Sequence, residues 1–217
     1  MAILRLKEVP TWEEVNRLFE AVLDRFLPEV RDLEEMANIK RKVRSSVKGE
    51  EIGRGTYYGL REVVFFGLLF YTGCRVSELL AIRKKDVNLL RGTITIKQLK
   101  RRKGKELERE VMIPPPVKEH LKEYLITYVK GEEGRLFEFS RQRAWQLVKE
   151  LTGSVLGREL HPHTFRHAFA IRLLKTTKDL EKVRRLLGHS NYDTLKAYLD
   201  YTIEDMKDDL LKMFGEE

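Results

Sequence analysis

"LLGHSNYDTLKAYLDY", residues 186–201, is the stretch whose reading decides this chain. It carries one histidine, His189, and tyrosines at positions 192, 198 and 201. Helical periodicity does not choose among those tyrosines. Leu195, Tyr198, Leu199 and Thr202 form one stripe, and Tyr201 lies only about 60° from Tyr198 around a helix of 3.6 residues per turn. An amphipathic helix with buried aromatics and a helix bearing a reactive phenol look alike at this level. The remaining residues have to separate them.

Working outward, 217 residues suffice for one sizeable core. With 42% hydrophobic and 35% charged residues, the balance is that of a soluble, highly charged globular protein. The longest apolar run, "VVFFGLLFY" at 63–71, is far shorter than the roughly 20 residues of a membrane helix. The opening "MAILRLKEVP" meets charge almost at once and lacks a secretory signal pattern. A cytoplasmic protein with no membrane partner is expected. The single cysteine, Cys74, excludes an internal disulfide and any multi-cysteine metal site. A formal charge of +8 points towards a polyanion such as nucleic acid.

Near the N-terminus, "PTWEEVNRLFEAVLDRFLPEV" reads as a capped helix, with Thr11 as N-cap and Glu14 three residues on. The following helical stretch fades into "NIKRKVRSSVKGEEIGRG", which reads as an exposed loop. Its Lys40, Arg41 and Lys42 fit either a solvated connector or a contact to DNA phosphates. A buried helix is expected over 57–71, a break at "TGCR", and a helix over 76–83. "GTITIKQLK" and "REVMIP" alternate apolar and polar residues around "RRKGKELE", the pattern of a β-hairpin with a basic tip at Arg101, Arg102 and Lys103. Beyond Pro115 helices are expected at about 116–130, 140–152, 164–175, 179–187, 192–201 and 203–214. The expected fold is one mainly α domain over residues 1–217 with a small antiparallel β-sheet.

Two further stretches carry reactive side chains. In "HPHTFRHAFAIRLL", His163 and Arg166 stand three apart at the head of a helix and share a face. In "YTGCRVSELLAIRKKDV", Arg75 follows the apolar run and Glu78 lies one turn later. Arg75 fits a surface boundary, and it fits equally an anion fork braced by Glu78, because a guanidinium grips phosphate oxygens bidentately. Taken singly, each motif is common.

Taken together they resemble the tyrosine recombinases, the phage-integrase family. "TGCRVSELLAIRKKDV" is similar to that family's first box, "HPHTFRHAFA" to its H-x-x-R-H box, and "LLGHSNYDTLKAY" to its L-L-G-H-S box. The resemblance covers essentially the whole chain and implies the integrase catalytic-domain fold. It places catalytic roles on Arg75, His163, Arg166 and His189. The nucleophile follows the box histidine by nine residues, which is Tyr198; Tyr192 and Tyr201 are then structural. The family's lysine falls on Lys100 by the "QLK" spelling, with Lys97, Lys103 and Lys105 nearby. Glu78 is expected to brace Arg75, and His167 to make a hydrogen bond within the fold.

The resemblance also implies a chemistry without metal or cofactor. The phenol of Tyr198 would attack a DNA phosphorus, giving a 3′-phosphotyrosyl link and a free 5′-hydroxyl. A free tyrosine titrates near pH 10 and needs help to act at neutral pH. The family assigns that proton to His163, the charge compensation to Arg75 and Arg166, a phosphate hydrogen bond to His189 and the leaving-group proton to Lys100. The implied partners are double-stranded DNA and further copies of the chain, as a dimer or tetramer on DNA. The family's N-terminal core-binding domain is expected to be absent, since the first catalytic-domain helix begins near residue 11. Residues 203–217 are expected to form a tail helix that docks in cis or on a neighbouring protomer. A type IB topoisomerase-like enzyme and a non-catalytic DNA-binding protein that keeps the fold are the competing readings.

Overall fold

Thr11 starts the first helix as its sequence dictates. The Glu14 N–H donates to Thr11 Oγ1 at 3.2 Å and the Thr11 N–H donates to Glu14 Oε2 at 2.9 Å, so two otherwise orphaned donors are satisfied reciprocally. The computed structural model describes residues 9–27, 52–98 and 107–188 together with Tyr198, and for 52–58 the backbone alone. Helix α1 (Trp12–Phe26) buries Val15, Leu18, Phe19 and Val22 on one stripe. That stripe packs on α2 (Ile52–Tyr71), which is apolar nearly all round and therefore central. Within α2, Phe65 meets Phe137 and Phe139 edge-on at 5.5 and 5.0 Å, and Phe70 lies 4.4 Å from Phe165.

After α2 come the short helix α3 (Val76–Leu79), a three-residue 3₁₀ turn at Lys84–Asp86, and a sheet of β1 (Val87–Asn88), β2 (Thr93–Lys97) and β3 (Glu108–Met112). The sheet is antiparallel in the order β1-β2-β3, with Ile94 opposite Val87 and Val111, and Ile96 opposite Arg109. A second 3₁₀ turn (Pro115–Val117) leads into α4 (Lys118–Thr127), followed by α5 (Arg141–Leu156), α6 (Pro162–Thr177) and α7 (Leu180–Leu187). Most buried apolar residues form one core around α2. A smaller cluster of Ala170, Ile171, Leu174, Val183, Leu187 and Tyr198 lies between α6 and α7.

The mainly α fold with its small antiparallel sheet is as expected, with several local differences beyond shifts of a few residues at helix ends. Helix α2 begins at Ile52, so "IGRG" is helical and does not belong to the loop. Its glycines are poor helix formers, but propagation from a strongly packed segment costs little per residue. The helix expected over 76–83 stops at Leu79. There the Ala81 and Ile82 N–H groups turn back to Glu78 and Leu79, and Arg83 enters a bridge with Arg135. That tertiary pairing wins over local helix propensity. The sheet gains β1, too short for alternation to reveal, and β3 begins at Glu108 instead of Arg109. The hairpin tip at 99–106, the basic segment at 28–51 and the tail at 203–217 lie outside the described residues.

Candidate active site

Arg75 sits at the N-terminus of α3, where Glu78 holds it twice. The Arg75 Nη1 donates to Glu78 Oε1 at 2.7 Å, and its backbone N–H donates to Oε2 at 3.1 Å. Glu78 is 3% exposed, whereas the Arg75 side chain keeps 38% of its surface open. One end of this pair is fixed in the protein and the other reaches outward. The expected brace is present. Sequence reading missed its second partner: Arg109 on β3 donates from Nη2 to Glu78 Oε2 at 2.8 Å. Burial alone would raise the Glu78 carboxyl, but the hydrogen bonds and charge of Arg109, then of Arg75, hold it below the usual carboxylate range. The alternation of "EREVMI" carried the signal, because Arg109 falls on the same face as Val111 and Ile113, the apolar side of the strand.

Arg166 is 1% exposed and works as a cross-tie. Its Nη1 donates to the Gly73 carbonyl and its Nη2 to the Leu187 carbonyl, both at 2.7 Å. The guanidinium plane is thereby fixed between the loop after α2 and the end of α7. Two glycines make that approach possible. Gly73, at φ +65°, would place a Cβ 2.5 Å from Phe169. Gly188, also at φ +65°, would place one 2.3 Å from Gln98 Nε2. Burial, then the charge of Arg75, pulls Arg166 down to about 10, which leaves it cationic at neutral pH.

The histidines form a file towards Tyr198. The His163 and His167 rings lie 5.4 Å apart, and His167 Nδ1 is hydrogen-bonded to the Tyr198 hydroxyl at 2.7 Å. Burial lowers His163, with Arg166 and Arg75 adding repulsion. His167 is pulled down to about 4 by burial, then by His163 and Arg166. Both rings are neutral at pH 7. Tyr198 itself is 1% exposed, packed in the small cluster between α6 and α7. The hydrogen bond expected of His167 is thus made to the candidate nucleophile itself, a partner that one-dimensional spacing does not reveal. His161, which had no assigned role, stacks on Trp145 at 4.4 Å.

Arg75, Glu78, His163, Arg166, His167 and Tyr198 are therefore brought together from α3, α6 and the C-terminal region. Lys100, His189, Arg101, Arg102, Lys103, Lys40, Arg41 and Lys42 lie outside the described residues. Of the neighbouring lysines, Lys97 is half exposed and faces Glu108 across the strands at 3.7 Å. It sits on the side of β2 opposite Ile96, away from the arginines. Gln98 turns towards α7, its Nε2 donating to the Gly188 carbonyl at 3.4 Å. Among the described residues no cluster of His, Cys, Asp or Glu has the grouping of a metal site, and no helix is long and apolar enough to cross a membrane.

Arg75 and Arg109 on one buried carboxylate, Arg166 tied to two carbonyls, two neutral histidines and a buried tyrosine thus gather at one place on this fold. Residues 55–204 match the phage integrase family model, and the chain belongs to that family. It is 31% identical over 203 residues to tyrosine recombinase XerA of Thermococcus kodakarensis, covering 90% of this chain and 66% of that protein. It is 32% identical over 205 residues to tyrosine recombinase XerD of Staphylococcus saprophyticus, covering 89% and 63%. The fold matches a crystal structure of XerA recombinase with a TM-score of 0.65 at 21% identity, over 93% of this chain and 64% of that one. It also matches XerH site-specific recombinase bound to a palindromic difH substrate in a post-cleavage complex, with a TM-score of 0.67 at 20% identity, over 95% and 53%. The chain spans about two thirds or less of the length of these proteins.

Proposed function

We propose that this chain is the catalytic domain of a site-specific DNA recombinase, which cleaves and rejoins strands through a phosphotyrosyl link on Tyr198. The observation that carries the reading is the Tyr198 hydroxyl, 2.7 Å from His167 Nδ1 and in the same site as Arg166. The phenol oxygen bonds to the phosphorus of the scissile phosphate as the bond to the 5′-oxygen breaks. His163 accepts the phenolic proton, Lys100 protonates the departing 5′-oxygen, and a 5′-hydroxyl reverses both steps to rejoin DNA. Arg75 and Arg166 compensate the charge that gathers on the non-bridging oxygens, and His189 adds a hydrogen bond to them. A base pulled down to about 4, as His167 is, accepts a full proton poorly at pH 7. Its role is to hold the phenol before attack. Gln98, two positions before Lys100 in the sequence, faces the arginine side of the sheet.

The partners are double-stranded DNA and further copies of the chain, assembled as a dimer or tetramer on DNA in the cytoplasm. Lys40, Arg41, Lys42, Arg101, Arg102 and Lys103 supply phosphate contacts, and residues 203–217 are a tail that docks in cis or on a neighbouring copy. The names of the relatives favour recombination over relaxation of supercoils. Trapping on nicked suicide duplexes with a randomised core tests the reading. The wild type is expected to form a denaturation-resistant adduct and Tyr198→Phe none, with DNA binding retained. An adduct that persists in Tyr198→Phe and disappears in Tyr201→Phe would overturn the assignment.

A further inference from the structure

Arg109 belongs to none of the three sequence boxes, yet its side chain is only 8% exposed and lies among them. Its Nη2 donates to Glu78 Oε2 at 2.8 Å and lies 3.8 Å from the Cys74 sulfur. Its Nη1 comes within 3.3 Å of where a Cβ on Gly188 would stand, next to the Gln98 amide. Nε and Nη1 have no hydrogen-bond partner among the described residues, which is costly for a buried cation held only for stability. A single carboxylate thus joins two arginines: one outward-facing, on α3, and one buried, on the strand that pairs with the "TITIKQ" strand. Losing Arg109 would leave Glu78 held by Arg75 alone, free to pivot and to take up a proton.

Resting on the function proposed above, we propose that Arg109 is a positioning residue for strand cleavage: it clamps Glu78 so that Arg75 is presented to the scissile phosphate in one orientation, and ties that presentation to the seating of the β2–β3 hairpin against Gly188. Arg75 is the group that touches substrate, and Arg109 acts through Glu78. The charged and titratable groups that face Glu78 are Arg75 from the start of α3, Arg109 from β3, Cys74 from the loop, and His163 and Arg166 from α6.

The test compares wild type with Arg109→Met, Arg109→Lys and Glu78→Gln. Its first readout is the Glu78 carboxyl titration, followed by selective ¹³C labelling in the absence of DNA. The carboxyl should titrate at higher pH in Arg109→Met, and return towards wild type in Arg109→Lys. The second readout is single-turnover cleavage of a nicked duplex. A misplaced cation costs on the order of ten- to a hundredfold in rate, so Arg109→Met should fall by that factor with DNA affinity unchanged. Its loss should be larger at pH 5.5 than at pH 8, and Arg109→Lys should recover most of the rate. Glu78→Gln should lose rate by a similar factor but equally at every pH, because an amide does not titrate, and adding Arg109→Met to it should cost little more. A uniform loss at every pH without rescue by lysine, or wild-type rates in Arg109→Met, would overturn the proposal. If Arg109→Met does not fold, Arg109→Ala replaces it under the same criteria, and a wild-type rate in Glu78→Gln would overturn the proposal by itself. Failure of the wild type to form any adduct would sink the recombinase reading, while the carboxyl titration reports on the clamp independently.

Discussion

Arg166 and Arg75 do different work although both are arginines of one site. Arg166 spends two nitrogens on carbonyls, so Arg166→Ala strands the oxygens of Gly73 and Leu187 in a buried setting. Leaving such groups unpaired costs about 1–3 kcal/mol each, so this variant should melt lower as well as cleave more slowly. Arg75→Ala removes a half-exposed side chain and should leave the melting temperature nearly unchanged. Its cleavage rate should still fall by about a hundredfold, by analogy with losing an oxyanion donor. Equal melting losses in both variants, measured by calorimetry, would contradict this division. The histidines give a pH signature. His167 titrates near 4 in the folded chain and near 6.5 when unfolded, so the unfolded state binds more protons between those values. Stability is then full above about pH 6.5 and declines as pH falls towards 4. Urea titrations at pH 7 and 4.5 should show that decline, and His167→Asn should lessen it; an unchanged pH dependence would count against a buried neutral His167. At this scale spacing along helices left Arg75, Glu78, His163 and Arg166 open, and only the resemblance of their boxes to the family singled them out. The sequence was silent on the bond between His167 and Tyr198, because a contact across 31 positions leaves no periodic trace. Arg109 was half-legible as a cation on the apolar side of an alternating strand.

The elements matter for where they stop. Helix α7 ends at Gly188, whose left-handed conformation turns the chain beside Gln98. Gly188→Ala would force a Cβ into both a strained backbone and the Gln98 amide, and should destabilise by about 1 kcal/mol or more. It should also slow cleavage, since the Leu187 carbonyl that orients Arg166 is one residue away. A melting temperature equal to wild type would show that this turn tolerates a side chain. The amphipathic α1 and the alternating β2 were readable because each buries one face with a clean period. Helix α3 was overextended because the bridge between Arg83 and Arg135, a pairing across the fold, ends it early. The start of α2 was misplaced because glycines signal a loop locally, while packing further along carries the helix through them.

At the scale of the whole molecule, charge and closure set the behaviour. With a net charge of +8, the proposed DNA binding is expected to fall with salt, each phosphate contact contributing a slope of roughly 0.9 in log K against log salt. Replacing Arg101, Arg102 and Lys103 by alanine should flatten that slope by about 2–3 units if all three meet phosphates; fluorescence anisotropy at several salt concentrations would measure it. Closure is the second constraint. Tyr198 and Arg166 are each 1% exposed, so the proposed attack on DNA would require the phenol to leave its hydrogen bond with His167. The family and the fold were legible because three boxes fall in order along one chain, and the packing shows how Arg75, His163, Arg166 and Tyr198 come to meet. The most direct measurement is to trap the wild-type adduct on a nicked duplex, digest it and map the modified peptide by mass spectrometry. The phosphodeoxynucleotide should be found on Tyr198; its attachment to Tyr192, Tyr201 or any other side chain would contradict the account.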